Sequence, residues 1–311
     1  MNDAEVVEES KNRSWLMPVG LILALGLSLY YAARIQSSPQ QKVPQNSVRS
    51  KSKTTAAGDA IVLPLGREKL LTEMVSSGVI DWDRFNALYQ GRGGFSDEDK
   101  QLLSDFDKGE LRVTEENSGL LLNLLWAFSL GNRNSVLANG PMTDPRYGGA
   151  GNFASTGGWT LAKGDAMAHY SRHSFVTLTT EQQALVERVS KNIYRPCCDN
   201  STYFPDCNHG IAMLGLLQLL ASEGAPESTL YQAALQVNSL WFPDQYSNIQ
   251  RYLELNGITA SAERMLSEEF SSGSGYQAIL SRLPSAGEGT PGGCGVAEPR
   301  PAQKNSSGCG T

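Results

Sequence analysis

The chain has 311 residues, a length that by itself suggests two domains, and it carries a net charge of −6 at pH 7. Hydrophobic residues make up 40% of it, below the roughly 45–50% of ordinary globular domains, which favours one modest folded domain with appendages. The net negative charge gives no indication of a basic surface, so nucleic acid is not the expected partner. Five cysteines are too few for a disulfide-rich scaffold.

An uncharged apolar run, residues 15–33, lies close to the N-terminus. A helix of this length covers about 28 Å, which is close to the roughly 30 Å hydrocarbon core of a bilayer. Trp15 and Tyr30 lie where interfacial aromatic residues are expected. The acidic start of the chain argues against a cleaved signal peptide, because such peptides begin with basic residues. The sequence therefore predicts an N-terminal tail over residues 1–14 and a single transmembrane helix over residues 15–35, which contacts membrane lipid.

Low-complexity segments flank the remaining chain. Residues 36–60 are rich in Ser, Gln, Pro and Lys and are predicted to be a disordered linker, and residues 284–311 are predicted to be a disordered Gly/Pro-rich tail. Cys294 and Cys309 lie in this tail, which is either functionally silent or returns its thiols to the cysteines of the main domain.

The orientation across the membrane has two opposing indications. Basic residues after the transmembrane helix favour a cytoplasmic main domain. The extended linker before a large C-terminal domain favours the opposite side, and we expect an extracytoplasmic domain.

Residues 61–283 are left for the folded domain, and helical periodicity dominates them. No clear alternating strand pattern is present, so the predicted fold class is all-α, with a long Gly-rich loop over residues 134–163. Thr179 and Gln182 form a predicted capping box at the start of one helix. Helices are predicted over residues 67–76, 81–89, 97–106, 115–130, 180–193, 210–222, 228–241, 246–255, 261–270 and 275–283.

The densest group of reactive side chains lies between two of these helices. Cys197, Cys198, Cys207 and His209 fall within 13 residues. Three thiols and one imidazole are the donor set of a tetrahedral site for zinc or another thiophilic ion such as copper. The spacing C-C-x8-C-x-H differs from the C-x2-C of common zinc modules. The sequence predicts these four residues as ligands of zinc or copper.

Two other interpretations of the same cysteines stay open. Cys207 can form a structural disulfide with Cys197 or Cys198, which would join two helix ends in a non-catalytic scaffold. The Gly-rich loop would then contact a protein partner. Alternatively, Cys197 or Cys198 attacks a substrate disulfide and Cys207 resolves the mixed disulfide, with the nearby Arg195 favouring the thiolate.

The remaining histidines, His169 and His173, are four residues apart. On a helix they would share one face, a spacing that suits a metal site. We favour the simpler interpretation that they are surface or hydrogen-bonded residues. A composite site that also includes His209 stays open.

The segment around the cysteines has a local resemblance to a known protein family. A helix leads to the Cys pair, then to Asn200-Ser-Thr and Asp206-x-Asn208, and an Ala/Leu-rich helix follows that ends near Gly224. These roughly 45 residues resemble the thiol loop of CcmH-type cytochrome c maturation proteins. Those proteins are membrane-anchored helical domains that reduce apocytochrome thiols, so the resemblance implies dithiol chemistry. Their cysteines are separated by two residues, whereas the Cys pair here is adjacent.

Overall fold

A computed structural model describes residues 61–284 of the chain. The predicted N-terminal tail, transmembrane helix and linker lie outside the described residues, and so do the tail cysteines Cys294 and Cys309. These interpretations therefore stay predictions. Within residues 61–284, no helix is both long enough and apolar enough to cross a bilayer.

The described residues are predominantly helical, which confirms the main feature of the predicted fold class. Nine of the ten predicted helices agree with observed ones to within three residues at each end. The helices are α1 (Leu70–Ser77), α2 (Trp82–Gln90), α3 (Asp97–Lys108), α4 (Ser118–Gly131), α5 (Ser135–Asn139), α6 (Thr180–Ser190), α7 (Asn208–Ser222), α8 (Glu227–Trp241), α9 (Pro243–Leu255), α10 (Ala262–Met265), α11 (Glu268–Ser271) and α12 (Gly273–Leu280).

A small antiparallel sheet is present that the sequence did not predict. It pairs β1 (Ile61–Pro64) with β2 (Glu110–Val113). Leu63 lies opposite Leu111, and both side chains are buried. Exposed and buried positions alternate along β2, but four residues are too short a window for a period of two to stand out. The predicted all-α class therefore holds for residues 61–284, with this short two-stranded sheet as an addition to it.

The core is built around α4 and α7, which pack closely against each other. Both helices are apolar on all sides and most of their residues are buried, as expected of helices that other elements surround. Gly215 permits the close approach, because a Cβ atom there would lie 2.7 Å from the carbonyl oxygen of Leu125. The helix that follows the cysteine loop is therefore held firmly in the core.

A buried polar chain connects the two central helices. The side-chain amide of Asn132 donates to Gln218 Oε1 at 2.9 Å, and Gln218 Nε2 donates to Ser129 Oγ at 3.3 Å. The backbone N–H of Val176 donates to Asn132 Oδ1 at 3.0 Å. These bonds satisfy polar groups that burial would otherwise penalise, and they attach the segment before α6 to the core.

The Gly-rich loop is irregular, as predicted, but it is not structureless. It contains α5 and several 3₁₀ turns. The indole of Trp159 donates to the carbonyl oxygen of Val79 at 2.8 Å, which fixes the end of the loop to the domain. The N–H of Ser155 donates to the carbonyl oxygen of Asp206 at 3.2 Å, so the Gly-rich loop also contacts the cysteine loop.

The helix predicted over residues 261–270 is divided into α10 and α11. The carbonyl oxygen of Leu266, between them, accepts the backbone N–H of Tyr194 at 2.8 Å. This bond attaches the start of the cysteine loop to the C-terminal helices.

Candidate metal site

The cysteine loop, residues 194–207, joins α6 to α7. Cys207 is the N-cap residue of α7, and its Sγ atom accepts the backbone N–H of Gly210 at 3.4 Å. A sulfur thus takes the place that Ser, Thr, Asn or Asp usually fills at a helix start. Within residues 61–284, Cys197, Cys198 and Cys207 are free cysteines, and Cys197 is the exposed one of the three.

The four predicted ligands are divided between two overlapping groups of side chains, each of which is close enough to hold a metal ion. One group of three consists of Cys197, Cys207 and His209, whose ligand atoms all lie within 4.8 Å of one another. A second group satisfies the same limit and consists of Cys198, Asp206 and Cys207. Cys207 belongs to both groups. Asp206 is a candidate ligand that the sequence interpretation missed, although it directly precedes Cys207.

The spacing of the sulfur atoms fits tetrahedral coordination. Cys197 Sγ lies 3.8 Å from Cys207 Sγ. For a tetrahedral zinc ion with zinc–sulfur bonds of about 2.3 Å, two coordinating sulfurs lie about 3.8 Å apart. The pair therefore has the separation that two ligands of one ion require.

His209 offers a neutral ring nitrogen. Its Nδ1 atom is buried and has no hydrogen-bond partner among the described residues. Burial lowers the pKa of His209 to about 4, so its imidazole is neutral at pH 7, the form that binds metals. Its ring packs against the rings of Trp241 and Phe242, with centroid distances of 5.5 and 4.6 Å. The aromatic contacts hold the ring in place while leaving the buried nitrogen available.

Arg195 is fully buried beside the sulfur atoms. Its Nε donates to Cys207 Sγ at 3.2 Å, its Nη1 to the carbonyl oxygen of Asn200 at 2.9 Å, and its Nη2 to Asp206 Oδ1 at 3.1 Å. Asp206 is held in turn by the amide of Asn200, which donates to Oδ2 at 2.8 Å. The site thus contains a positive charge that is paired and hydrogen-bonded, as burial demands.

The three thiols are electrostatically unequal. Hydrogen bonds from Cys197 and Cys198, together with the charge of Arg195, lower the pKa of Cys207 well below its ordinary value. Hydrogen bonds with Cys198 and Cys207 raise the pKa of Cys197. In the metal-free protein, negative charge therefore collects on Cys207, while the exposed Cys197 is a neutral thiol.

The loop is fastened to the N-terminus of α12. The carbonyl oxygen of Cys198 accepts the N–H of Gly273 at 2.9 Å, and Asp199 Oδ1 accepts the N–H of Ser274 at 2.7 Å. The hydrogen bond from the backbone of Ser274 lowers the pKa of Asp199. The sequence carries no signal for this contact, because its partners are about 75 residues apart in the chain.

His169 and His173 contact each other but do not join the cysteines. The 3₁₀ turn Ala166–Ala168 ends before them, so they do not share a helix face. His169 Nε2 lies 3.0 Å from the carbonyl oxygen of Lys163, and Nδ1 lies 3.1 Å from His173 Nε2. Since a carbonyl can only accept, His169 Nε2 donates and Nδ1 accepts from His173. Within residues 61–284 neither histidine belongs to a group of three or more potential metal ligands, which agrees with the hydrogen-bonded interpretation.

The chain was compared with protein-family models, curated proteins and solved structures, and none of the three comparisons finds a match. The resemblance of the cysteine loop to CcmH-type proteins is not tested by these results and stays a prediction. The functional interpretation therefore depends on the geometry of the loop.

Proposed function

We propose that this protein binds a soft metal ion, zinc or copper, through Cys197, Cys198, Cys207 and His209. The 3.8 Å separation of Cys197 Sγ and Cys207 Sγ carries this proposal, because it matches two ligands of one tetrahedral ion. The buried Nδ1 of His209, which has no hydrogen-bond partner within residues 61–284, supports it as well. A metal ion is a partner that would satisfy a buried imidazole nitrogen.

The charges around the loop are consistent with a bound cation. Three thiolates and a divalent ion together carry a charge of −1, and a neutral imidazole adds nothing. The guanidinium of Arg195, which contacts Cys207 Sγ and also pairs with Asp206, offsets part of the negative charge of the thiolates inside the domain. Because binding requires all three cysteines to be deprotonated, metal uptake releases protons and stabilises the loop.

The same geometry supports a thiol–disulfide oxidoreductase less well. An attacking cysteine must be both a thiolate and accessible to its substrate. Here the pKa is lowered at the half-buried Cys207 and raised at the exposed Cys197. The thiolate form is thus favoured at Cys207, whereas the accessible position belongs to Cys197.

Elemental analysis combined with a free-thiol count tests the proposal. The full chain is purified without reductant, loaded with zinc or copper(I), and freed of excess ion. We expect one ion per chain with protected thiols, loss of the ion in Cys198→Ser, and full retention in the control His169→Ala. A metal-free protein with a reduction-resistant bridge would contradict the proposal and support a structural disulfide.

The membrane location is a second part of the proposal. We propose that residues 15–35 anchor the chain in a bilayer and that the helical domain lies on the extracytoplasmic side. The uncharged run of apolar residues supports the anchor. The extended composition of residues 36–60 supports a domain held away from the membrane surface.

A further inference from the structure

We infer that oxidation controls the metal site. Thiol exchange with a small-molecule disulfide forms a direct disulfide bond between Cys197 and Cys207, and the metal ion is released. This inference rests on the proposed function, since it concerns the regulation of the same site. It also explains why one of the ligands lies at the surface.

The distance between the two sulfur atoms is short enough for a direct bond. Cys197 Sγ and Cys207 Sγ are 3.8 Å apart, and a disulfide needs about 2.05 Å. Bond formation therefore requires the two side chains to move together by about 1.8 Å. The adjacent pair Cys197–Cys198 is a poor alternative, because neighbouring Cα atoms are about 3.8 Å apart and disulfides usually span about 4.4–6.8 Å.

The accessibility of the cysteines sets the order of events. Cys197 is exposed, whereas Cys198 and Cys207 are half-buried. Coordination to a metal ion requires Cys197 to be deprotonated. The metal-bound state therefore presents an accessible thiolate, which is the form that attacks disulfides.

The chemistry balances with a small-molecule disulfide as the oxidant. The Cys197 thiolate attacks one sulfur of the oxidant, forms a mixed disulfide and expels one thiolate. The Cys207 thiolate then attacks Cys197 Sγ, and the second thiolate of the oxidant leaves. Two protein thiolates are oxidised, one small disulfide is reduced to two thiolates, and the metal ion leaves with its charge unchanged.

The bridge removes two of the four ligands at once. Cys198 and His209 would be left to hold the ion, and Cys207 is shared by both of the candidate ligand groups. No described group of three ligands survives its oxidation. Reduction of the bridge restores the site, so the switch is reversible.

Zinc release and disulfide mapping on the same sample test the inference. The full chain carrying Cys294→Ser and Cys309→Ser, which removes the two cysteines outside the loop, is loaded with zinc and treated with oxidised glutathione. A chromophoric chelator follows zinc release, and peptide mass spectrometry locates the disulfides. We expect one zinc ion released per Cys197–Cys207 bridge and full rebinding after reduction.

Further variants separate this inference from the proposed function. Cys197→Ser and Cys198→Ser each lack one proposed metal ligand, so both are followed by peptide mass spectrometry alone. Cys198→Ser should still form the Cys197–Cys207 bridge under oxidant, whereas Cys197→Ser should form a bridge between Cys198 and Cys207 at least about tenfold more slowly, because Cys198 is half-buried. If the reduced parent binds zinc but keeps it during oxidation, or forms a different bridge, the inference is wrong and the metal proposal stands. If the reduced parent binds neither zinc nor copper(I), both are wrong.

Discussion

The guanidinium group of Arg195 lies against Gly210 in the first turn of α7, where any side chain would collide with it. A Cβ atom at residue 210 would lie 2.6 Å from the Arg195 Cζ atom. The glycine thus makes room for a buried cation that donates to Cys207 Sγ and to Asp206. Gly210 thus gives Arg195, the only fully buried arginine of the described residues, the space to contact the Cys207 sulfur at the start of α7.

Gly210→Ala should therefore displace Arg195 and destabilise the domain. A buried charge that loses its partners costs about 3–5 kcal/mol, and we expect a loss of about 3 kcal/mol of unfolding free energy. Denaturant titration of the metal-free protein measures it. Gly119→Ala in α4 is the matched control, because a Cβ atom there meets nothing within 4 Å and alanine favours the helix. Equal stability of the two variants would contradict the placement of Arg195.

The proximity of the candidate ligands was predictable because they are local in the sequence. Cys197, Cys198, Cys207 and His209 lie in one short segment between two helices, so no long-range fold was needed to bring them together. The helices were predictable for a similar reason, since their apolar positions recur with the helical period. The capping box of Thr179 and Gln182 is present as predicted.

The rest of the site depends on contacts between distant residues. The backbone of Ser274 holds Asp199, and the carbonyl oxygen of Leu266 accepts from Tyr194, which divides a predicted helix in two. Nothing in the local sequence indicates either pairing. Arg195 was expected to favour a thiolate, but its complete burial becomes evident only when Gly210 is placed against it.

His209 should make the metal-free domain sensitive to mild acid. Burial lowers its pKa to about 4 in the folded state from 6.5 in the unfolded chain. Above pH 6.5 the ring is neutral in both states. As the pH falls towards about 4, the unfolded chain binds the proton first, so stability is lost, by about 2–3 kcal/mol for this residue.

Denaturant titrations between pH 7 and pH 4 measure this loss. His209→Gln, which cannot be protonated, should lose less stability than the parent over the same window, and the difference between the two curves isolates His209. The variant His173→Gln controls for a second histidine whose pKa burial also lowers. Parallel curves for the parent and His209→Gln would show that the ring is protonated as easily in the folded state as in the unfolded one.

Cys197 should react slowly with alkylating agents despite its exposure. Its raised pKa keeps it protonated at pH 7, and the thiolate is the reactive form. We expect its alkylation by iodoacetamide in the metal-free protein to be at least about tenfold slower than that of free cysteine. Peptide mass spectrometry gives the rate at each cysteine. In Cys207→Ser the hydrogen bond to a thiolate is lost, and alkylation of Cys197 should become faster.

Residues 15–35 should hold the chain in the membrane fraction after alkaline carbonate extraction. Their uncharged apolar run is long enough to cross the hydrocarbon core, and each buried apolar side chain adds to the cost of leaving it. Deletion of residues 1–35 should release the protein into the soluble fraction. A deletion variant that stays in the membrane pellet while folded would show that another part of the chain binds lipid.

Replacing Leu25 with Arg is a milder test of the same anchor. A charge at the centre of the apolar run costs about 2.5–3.5 kcal/mol on insertion scales. This variant should therefore shift part of the full-length chain out of the membrane fraction.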